Sequence, residues 1–191
     1  MNQPLETFKQ EYQTLLLNFL WRQWSALGVA GQAGGEDVWV IDPEALLLLT
    51  CTLGRHEPRL FDEVLDWLRK NGRFINVMRL KRVLQTEKFA GERVLSAVAG
   101  VLAKGTEATK WKMLANSVDP SAVQEIFFLT HDGKSQPVPG EPEPHFARCG
   151  YQRGPLRLRG YSQKFRPSQP ANLALQLRAL FGVNVRCESV L

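Results

Sequence analysis

Hydrophobic residues recur every three or four positions through most of the chain, the spacing that places them on one face of an α-helix. A short strand is predicted for VWVI at 38–41, and a stretch around 125–130, before an Asp132-Gly133 turn, is either a strand or the end of a helix. The predicted helices cover residues 4–27, 43–54, 59–71, 77–85, 89–105, 109–117 and 171–182. The pattern therefore predicts a mainly α protein with few short strands.

The first of these helices is long and carries one wide, aromatic stripe. Its apolar positions are Leu5, Phe8, Tyr12, Leu15, Leu16 and Phe19. A stripe of this kind is typical of a helix that packs on a core, and the alternative is a dimer interface.

The segment RKNGRFINVMRLKRVLQ, residues 69–85, joins two amphipathic helices. Gly72 is placed to end the first helix and Asn76 to cap the second. At 100° per residue, Val77, Leu80 and Leu84 fall on one arc of the second helix. The opposite arc is basic and polar, so this helix is predicted to have a packed back and a charged outer face.

Two helices joined by a short turn that contains glycine make a helix-turn-helix, here within residues 60–85, and the helix at 43–54 would complete a tri-helical core. Arginine and glutamine can reach base edges in the major groove, while lysine and arginine also neutralise phosphates. The candidate DNA-binding residues are Arg73, Asn76, Arg79, Lys81, Arg82 and Gln85. We assign base reading to Arg79, Arg82 and Gln85, and phosphate contact to Arg73 and Lys81. The alternative is an amphipathic surface helix with a solvated basic face.

Over residues 42–104 the chain resembles bacterial winged-helix transcriptional regulators, and LFDEVLDWLRKNGRFINVMRLKRVL stands in the helix-turn-helix position. The resemblance implies a winged-helix-like core, DNA binding and a role in transcription regulation. A helix is predicted at 89–105, where the wing hairpin of such regulators would lie. The final segment, 176–191, contains LRALFGVNVRCESVL and is similar to the lead-in of a second winged helix, as in regulators with ArsR-like or MarR-like domains. That similarity implies a truncated second domain.

Charge and proline content divide the chain into three predicted parts: a helical domain at 1–135, a proline-rich then basic arm at 136–170, and a C-terminal helix at 171–191. Residues 1–44 carry a net charge of −4, whereas 148–186 contains eight Lys and Arg and no Asp or Glu. The arm's candidate cations are Arg148, Arg153, Arg157, Arg159, Lys164 and Arg166. Tyrosines and a phenylalanine alternate with them, a pattern that suits RNA or single strands. A solubilising linker and an arm along the DNA backbone are the alternatives.

Composition favours a soluble, cytoplasmic protein. The chain of 191 residues is 44% hydrophobic and 23% charged, with a net charge of +5. Its three cysteines do not form a disulfide framework, no signal peptide is visible, and the longest apolar run is too short to cross a membrane.

Candidate chemistry is sparse. His145 and Cys149 are four residues apart without a second ligand pair, and His56 lies in a turn. Three carboxylates on the 59–71 helix, those of Asp62, Glu63 and Asp66, are predicted to face solvent. We therefore expect no cofactor, no metal and no catalytic site.

The leading hypothesis is a DNA-binding transcriptional regulator whose main partner is duplex DNA. The alternative is an interaction or dimerisation module, a homodimer through the N-terminal or C-terminal helix.

Overall fold

A computed structural model of the chain describes residues 3–31, 39–87, 89–104, 108–136 and 139–184, together with residues 187 and 189. Helices dominate these residues and confirm the mainly α prediction. They are α1 (Gln3–Ala26), α2 (Pro43–Leu53), α3 (Pro58–Asn71), α4 (Val77–Thr86), α5 (Glu92–Leu102), α6 (Ala108–Ala115), α7 (Pro144–Arg148) and α8 (Leu173–Phe181). Single 3-10 turns at Gly54–His56, Gly72–Phe74 and Pro170–Asn172 join or precede them.

The central helices form where the sequence places their caps. The side chain of Asp42 accepts the N–H groups of Glu44 and Ala45, both at 3.1 Å, and Pro43 occupies the first turn of α2. Gly72 follows α3, and the side chain of Asn76 accepts the N–H of Arg79 at 3.0 Å at the start of α4. The predicted boundaries of α2, α3 and α4 are thus confirmed to within one or two residues.

Tryptophans tie α1 to the central helices. The indole N–H of Trp24 donates to Thr50 Oγ1 and that of Trp67 donates to the carbonyl of Leu27, both at 2.8 Å. The two rings meet edge to face with their centroids 5.3 Å apart. All four residues are buried, which means that each buried indole N–H has found a partner.

Helix α4 packs against α2 and α6, while α3 contacts the 72–74 turn that leads into α4. Its inner residues, Val77, Leu80 and Leu84, belong to the core. After α4 the chain continues into α5, and residues 89–91 form no strand. Among the described residues the position of a wing hairpin is therefore occupied by a helix, as the periodicity of 89–105 predicts, but the helix is shorter and runs from Glu92 to Leu102. Gly105, the predicted end of that helix, lies outside the described residues.

The strand predicted at 38–41 does not form over residues 39–41. Trp39 is 82% exposed, and the N–H of Ile41 donates to the carbonyl of Ala171, which lies in a helical turn and offers no strand to pair with. Within the described residues the named strands are β1 (Glu125–Ile126) and β2 (Tyr151–Gln152), which pair in parallel. The turn predicted after the first of them is confirmed at Gly133, whose φ of +76° favours glycine.

The proline-rich and basic stretch at 136–170 is packed against the helices over its described part, 136 and 139–170. Residues 144–148 form α7, and Phe146, Cys149 and Tyr151 join the same core as the central helices. Ala171 and Leu175 also belong to this core. Contacts with residues distant in the sequence therefore hold this stretch in place. Its proline content does not indicate such contacts.

A buried ion cluster joins α2, α4 and α8 and fixes the orientation of α4. The Glu44 carboxylate is fully buried and accepts from Arg178 Nη1 and Nη2 at 2.7 and 2.8 Å and from Arg79 Nη1 at 2.8 Å. It also accepts the backbone N–H of Asn76 at 2.8 Å. Arg178 reaches the carbonyl of Phe74 at 3.0 Å, so α8 is bonded to the turn between α3 and α4.

None of the helices within the described ranges is both long and apolar enough to cross a lipid bilayer.

We predict that Glu44→Gln lowers the free energy of unfolding by about 3–5 kcal/mol, because the change leaves Arg178 buried without its counter-charge. Urea unfolding followed by circular dichroism measures the loss. Glu87→Gln, at the exposed end of α4, is the matched control and should stay within about 0.5 kcal/mol of the parent protein. Equal stability of the two variants would show that the cluster does not hold the helices together.

Candidate nucleic-acid interface

Helix α4 presents two distinct faces. Val77, Leu80 and Leu84 are buried, whereas Arg82 and Gln85 are exposed and Lys81 is half-buried. Met78, on the same outer face, is 65% exposed. The outer face therefore combines two cations, an amide and a thioether on a helix whose back is packed.

Arg79 does not belong to that free face. Its guanidinium bonds to both oxygens of Asp42 and to Glu44, and its side chain is only 24% exposed. Burial alone would raise the pKa of Asp42, but the hydrogen bond from Arg79 and the backbone donors of α2 outweigh it and hold the pKa below its usual value. The hydrogen bond to Asp42 likewise raises the pKa of Arg79. Arg79 is thus committed to anchoring α4 on α2.

Asn76 is also engaged in the fold. Its side chain caps α4 and its N–H donates to Glu44. Of the six residues assigned from the sequence, Asn76 and Arg79 position the helix, and the remaining four lie on its accessible surface or on the turn before it.

Arg73 lies on the turn between α3 and α4 with its side chain exposed over the ring of Phe74, 4.5 Å from the centroid. The ammonium of Lys110, on α6, donates to the carbonyls of Arg73 and Ile75 at 2.7 and 3.2 Å. Lys112, on the same helix, is exposed. Helix α6 therefore brings further positive charge to the N-terminal end of α4.

Residues 153–166, called the strap below, lie along the polar face of α3. Arg153 is 1% exposed and donates to Asp62 Oδ1 at 2.6 Å. Its guanidinium carbon is 4.9–6.0 Å from the ring centroids of Phe61, Phe127, Phe128 and Phe146. A cation enclosed in this way is a structural group and is removed from any nucleic-acid surface.

The strap covers the carboxylates that the sequence places in solvent, so that prediction is wrong: the side chain of Asp62 is only 13% exposed and pairs with Arg153. Glu63 and Asp66 are buried at 3% and 5% exposure. Asp66 accepts the N–H of Ser162 at 3.1 Å, and Arg159 Nε lies 3.8 Å from Glu63. The acidic face of α3 is therefore the docking surface of the chain's own basic segment.

Glu63 is the least satisfied of these groups. One of its carboxylate oxygens has no hydrogen-bond partner among the described residues. Burial raises the pKa of Glu63, and the charge of Arg159 only partly offsets that effect.

The other cations of the predicted arm fall into two groups. Arg148 is turned inward and donates to the carbonyl of Ala115 at 2.6 Å. Arg157, Lys164 and Arg166 are exposed, as is half of Arg159. Lys164 and Arg166 flank Phe165, whose ring packs edge to face on Phe74 at 4.9 Å. The end of the strap therefore adds exposed charge beside the turn that carries Arg73.

Sequence reasoning misses three residues that decide the geometry of this face: Asp42, Glu44 and Arg178. The sequence indicates Asp42 only as an N-cap for the helix that begins at Pro43, and it indicates Glu44 only as one of the acidic residues of 1–44. A signal for Arg178 exists, since it is the one cation in the apolar helix sequence LALQLRALF, where a buried partner would be required.

Comparisons of the chain with protein-family models, with curated proteins and with solved structures give no match. Among the described residues there is no group of three or more His, Cys, Asp or Glu side chains that could hold a metal ion. His56, which the sequence places in a turn, has its Nδ1 3.0 Å from the carbonyl oxygen of Thr130.

We predict opposite effects for two neighbouring carboxylates under the strap. Asp62→Asn should lower the free energy of unfolding by about 3–5 kcal/mol, because Arg153 would remain buried and unpaired. Glu63→Gln should leave stability unchanged or raise it at neutral pH, because it removes a buried charge that lacks a close partner.

Chemical unfolding of both variants across pH measures this pair of effects. The folded-state pKa of Glu63 is raised, so its unfavourable contribution is complete above that pKa and disappears as the pH falls below the unfolded value. The advantage of Glu63→Gln over the parent protein should shrink in that direction. A similar loss of stability for both variants would contradict the assignment of Asp62 as the partner of Arg153.

Proposed function

We propose that the protein binds duplex DNA, with α4 as the recognition helix of a helix-turn-helix formed by α3, the 72–74 turn and α4. One observation carries the proposal: the outer face of α4 offers Lys81, Arg82 and Gln85, whose side chains make no hydrogen bond or ion pair with any described residue. Unpaired side chains of this kind, on the outer face of a helix whose inner face is packed, can bind phosphates and the edges of bases.

Each residue has a proposed role that its position supports. Arg82 and Gln85 would reach base edges, since both are exposed on the outer face. Met78 would contact a thymine methyl group. Lys81 and Arg73 would bind phosphates, and Lys164 and Arg166 would extend the phosphate contacts beyond the N-terminal end of α4.

Arg79 has no base-reading role in this proposal, because its donors are used by Asp42 and Glu44. It contributes by fixing the helix on α2. A recognition helix anchored before binding loses little conformational freedom on DNA, which favours affinity.

The basic segment 148–166 supports RNA or single-strand binding less well than its composition suggests. Stacking on bases needs exposed rings, yet Tyr151 is buried and Phe165 packs on Phe74. Tyr161, at 71% exposure, is the exposed ring of this segment. We therefore assign duplex DNA as the partner and transcription regulation as the role, with single strands and RNA as competitors in the test.

We predict that the double variant Lys81→Ala/Arg82→Ala weakens binding to a mixed-sequence duplex. The slope of log K against log salt should fall by about 0.9 for each phosphate that the variant no longer neutralises. Fluorescence anisotropy over a salt series measures both the affinity and the slope. Unlabelled duplex, single-stranded DNA and RNA serve as competitors.

The matched control is Lys104→Ala/Arg157→Ala, which removes the same charge from exposed positions whose side chains have no carboxylate partner among the described residues. A smaller effect in this control locates the interface on α4. Equal losses in both variants would indicate attraction by overall charge alone, and an unchanged slope for the α4 variant would contradict the proposal.

A separate prediction concerns sequence reading. On a duplex enriched from a random pool by repeated selection, Gln85→Ala should cost about 1–3 kcal/mol in affinity, while binding to the unselected pool should change little. Failure of the protein to enrich any sequence would leave phosphate binding intact but would contradict base reading by α4.

A further inference from the structure

Helix α1 carries an apolar stripe that no described part of the chain covers. Its members and their exposures are Leu5 at 51%, Phe8 at 62%, Tyr12 at 55%, Leu15 at 67% and Phe19 at 46%. The intervals between them alternate between three and four residues. This is the a/d repeat of a coiled-coil seam, in which one helix packs lengthwise against another.

The stripe is distinct from the face by which α1 is attached to the protein. The attached residues, Leu17, Leu20 and Trp24, are buried and belong to the C-terminal half. At 100° per residue they are centred about 130° around the helix from the stripe. Residues 5–12 are exposed on every side, so the N-terminal half of α1 projects past the body, and Gln10 and Thr14 face the 130–132 turn across an open cleft.

A projecting helix needs support that its own sequence does not supply. Isolated helices shorter than about 12–15 residues are marginal in water, and α1 exposes three aromatic rings as well. Phe8 and Tyr12 are already stacked, with centroids 6.1 Å apart and planes 9° from parallel. The stripe is therefore an ordered surface ready to pack against a second helix.

We propose that the partner is a second copy of this chain, bound antiparallel through α1 to form a two-fold symmetric dimer. The area is sufficient: five half-exposed large side chains offer on the order of 500 Å² per copy, or about 1,000 Å² for the pair. That total reaches the size at which specific interfaces begin, before the flanking residues are counted.

The helix dipoles favour one orientation. Antiparallel packing places the positive N-terminal end of each α1 helix beside the negative C-terminal end of the other copy, whereas parallel packing places like ends side by side. Glu6 and Lys9 pair with each other at 2.9 Å, so these two side chains add no net charge to the choice.

The dimer is tested first by mass. Light scattering and sedimentation of the full chain at about 100 μM should give twice the monomer mass of 21.6 kDa. Tyr12→Glu/Leu15→Glu should weaken dimerisation at least 100-fold. Gln10→Glu/Thr14→Glu adds the same charge on the opposite side of the helix and should leave the dimer intact.

Circular dichroism and urea unfolding establish that both variants retain the body of the fold. A monomeric parent protein would overturn the proposal, and so would a stripe variant that dimerises as well as its control. Both outcomes are independent of DNA binding, which is measured on α4.

Disulfide trapping tests the orientation. The three native cysteines are buried, so thiols introduced on the stripe react selectively. In an antiparallel pair centred near Tyr12, position 5 of one copy meets position 19 of the other. Positions 5 and 5 then lie about 20 Å apart, beyond disulfide reach. Mixing Leu5→Cys with Phe19→Cys should yield the mixed covalent dimer under mild oxidation, identified by mass. Equal trapping of Leu5→Cys alone would overturn the antiparallel arrangement.

Discussion

The geometry of the central helices depends on one buried carboxylate. Glu44 lies at the start of α2 and binds Arg79 of α4, Arg178 of α8 and the backbone N–H of Asn76, the residue that caps α4. A buried anion with two cations is costly to desolvate, and removing one member costs more than the cluster contributes. What the cluster provides is a set of directional contacts that bond α2 to both α4 and α8, and the direction of the outer face of α4 follows from them.

The pairing of carboxylates on α3 with the basic strap also determines where unpaired positive charge remains on the surface. Asp62, Glu63 and Asp66 face the chain's own basic segment, and Arg153 is enclosed by phenylalanine rings. The net charge of +5 is therefore not a measure of what a polyanion meets. Accessible cations that have no carboxylate ion pair among the described residues include those on α4, on the turn before it and at the end of the strap, where Phe165 packs on Phe74; others lie on α3, on α6 and after α5. This distribution, rather than the total, supports a DNA interface there.

Local chemistry explains which parts of this structure could be predicted from the sequence. The caps Asp42 and Asn76 and the terminator Gly72 act on neighbouring residues, and apolar spacing repeats within each helix, so the helices were predictable. The ion-pair partners of the cations could not be predicted in this way. Arg79 pairs with residues 35 and 37 positions away, and Arg178 with one 134 positions away. Helical periodicity shows that Arg79 lies off the apolar face, but it does not show that two carboxylates at the start of α2 lie beside it. Proline content likewise cannot show that the strap packs on the carboxylates of α3.

The proposed interfaces on α1 and α4 constrain each other through symmetry. A dimer formed by one helix face against its own copy has a single two-fold axis, so its two α4 helices are related by that axis. If both bind one duplex, the axis must coincide with a two-fold axis of the DNA, and the two half-sites must be inverted repeats. The rigid attachment of α1 to the core through Trp24 and of α4 to α2 through Arg79 would then set the half-site separation, because neither helix can adjust independently of the body.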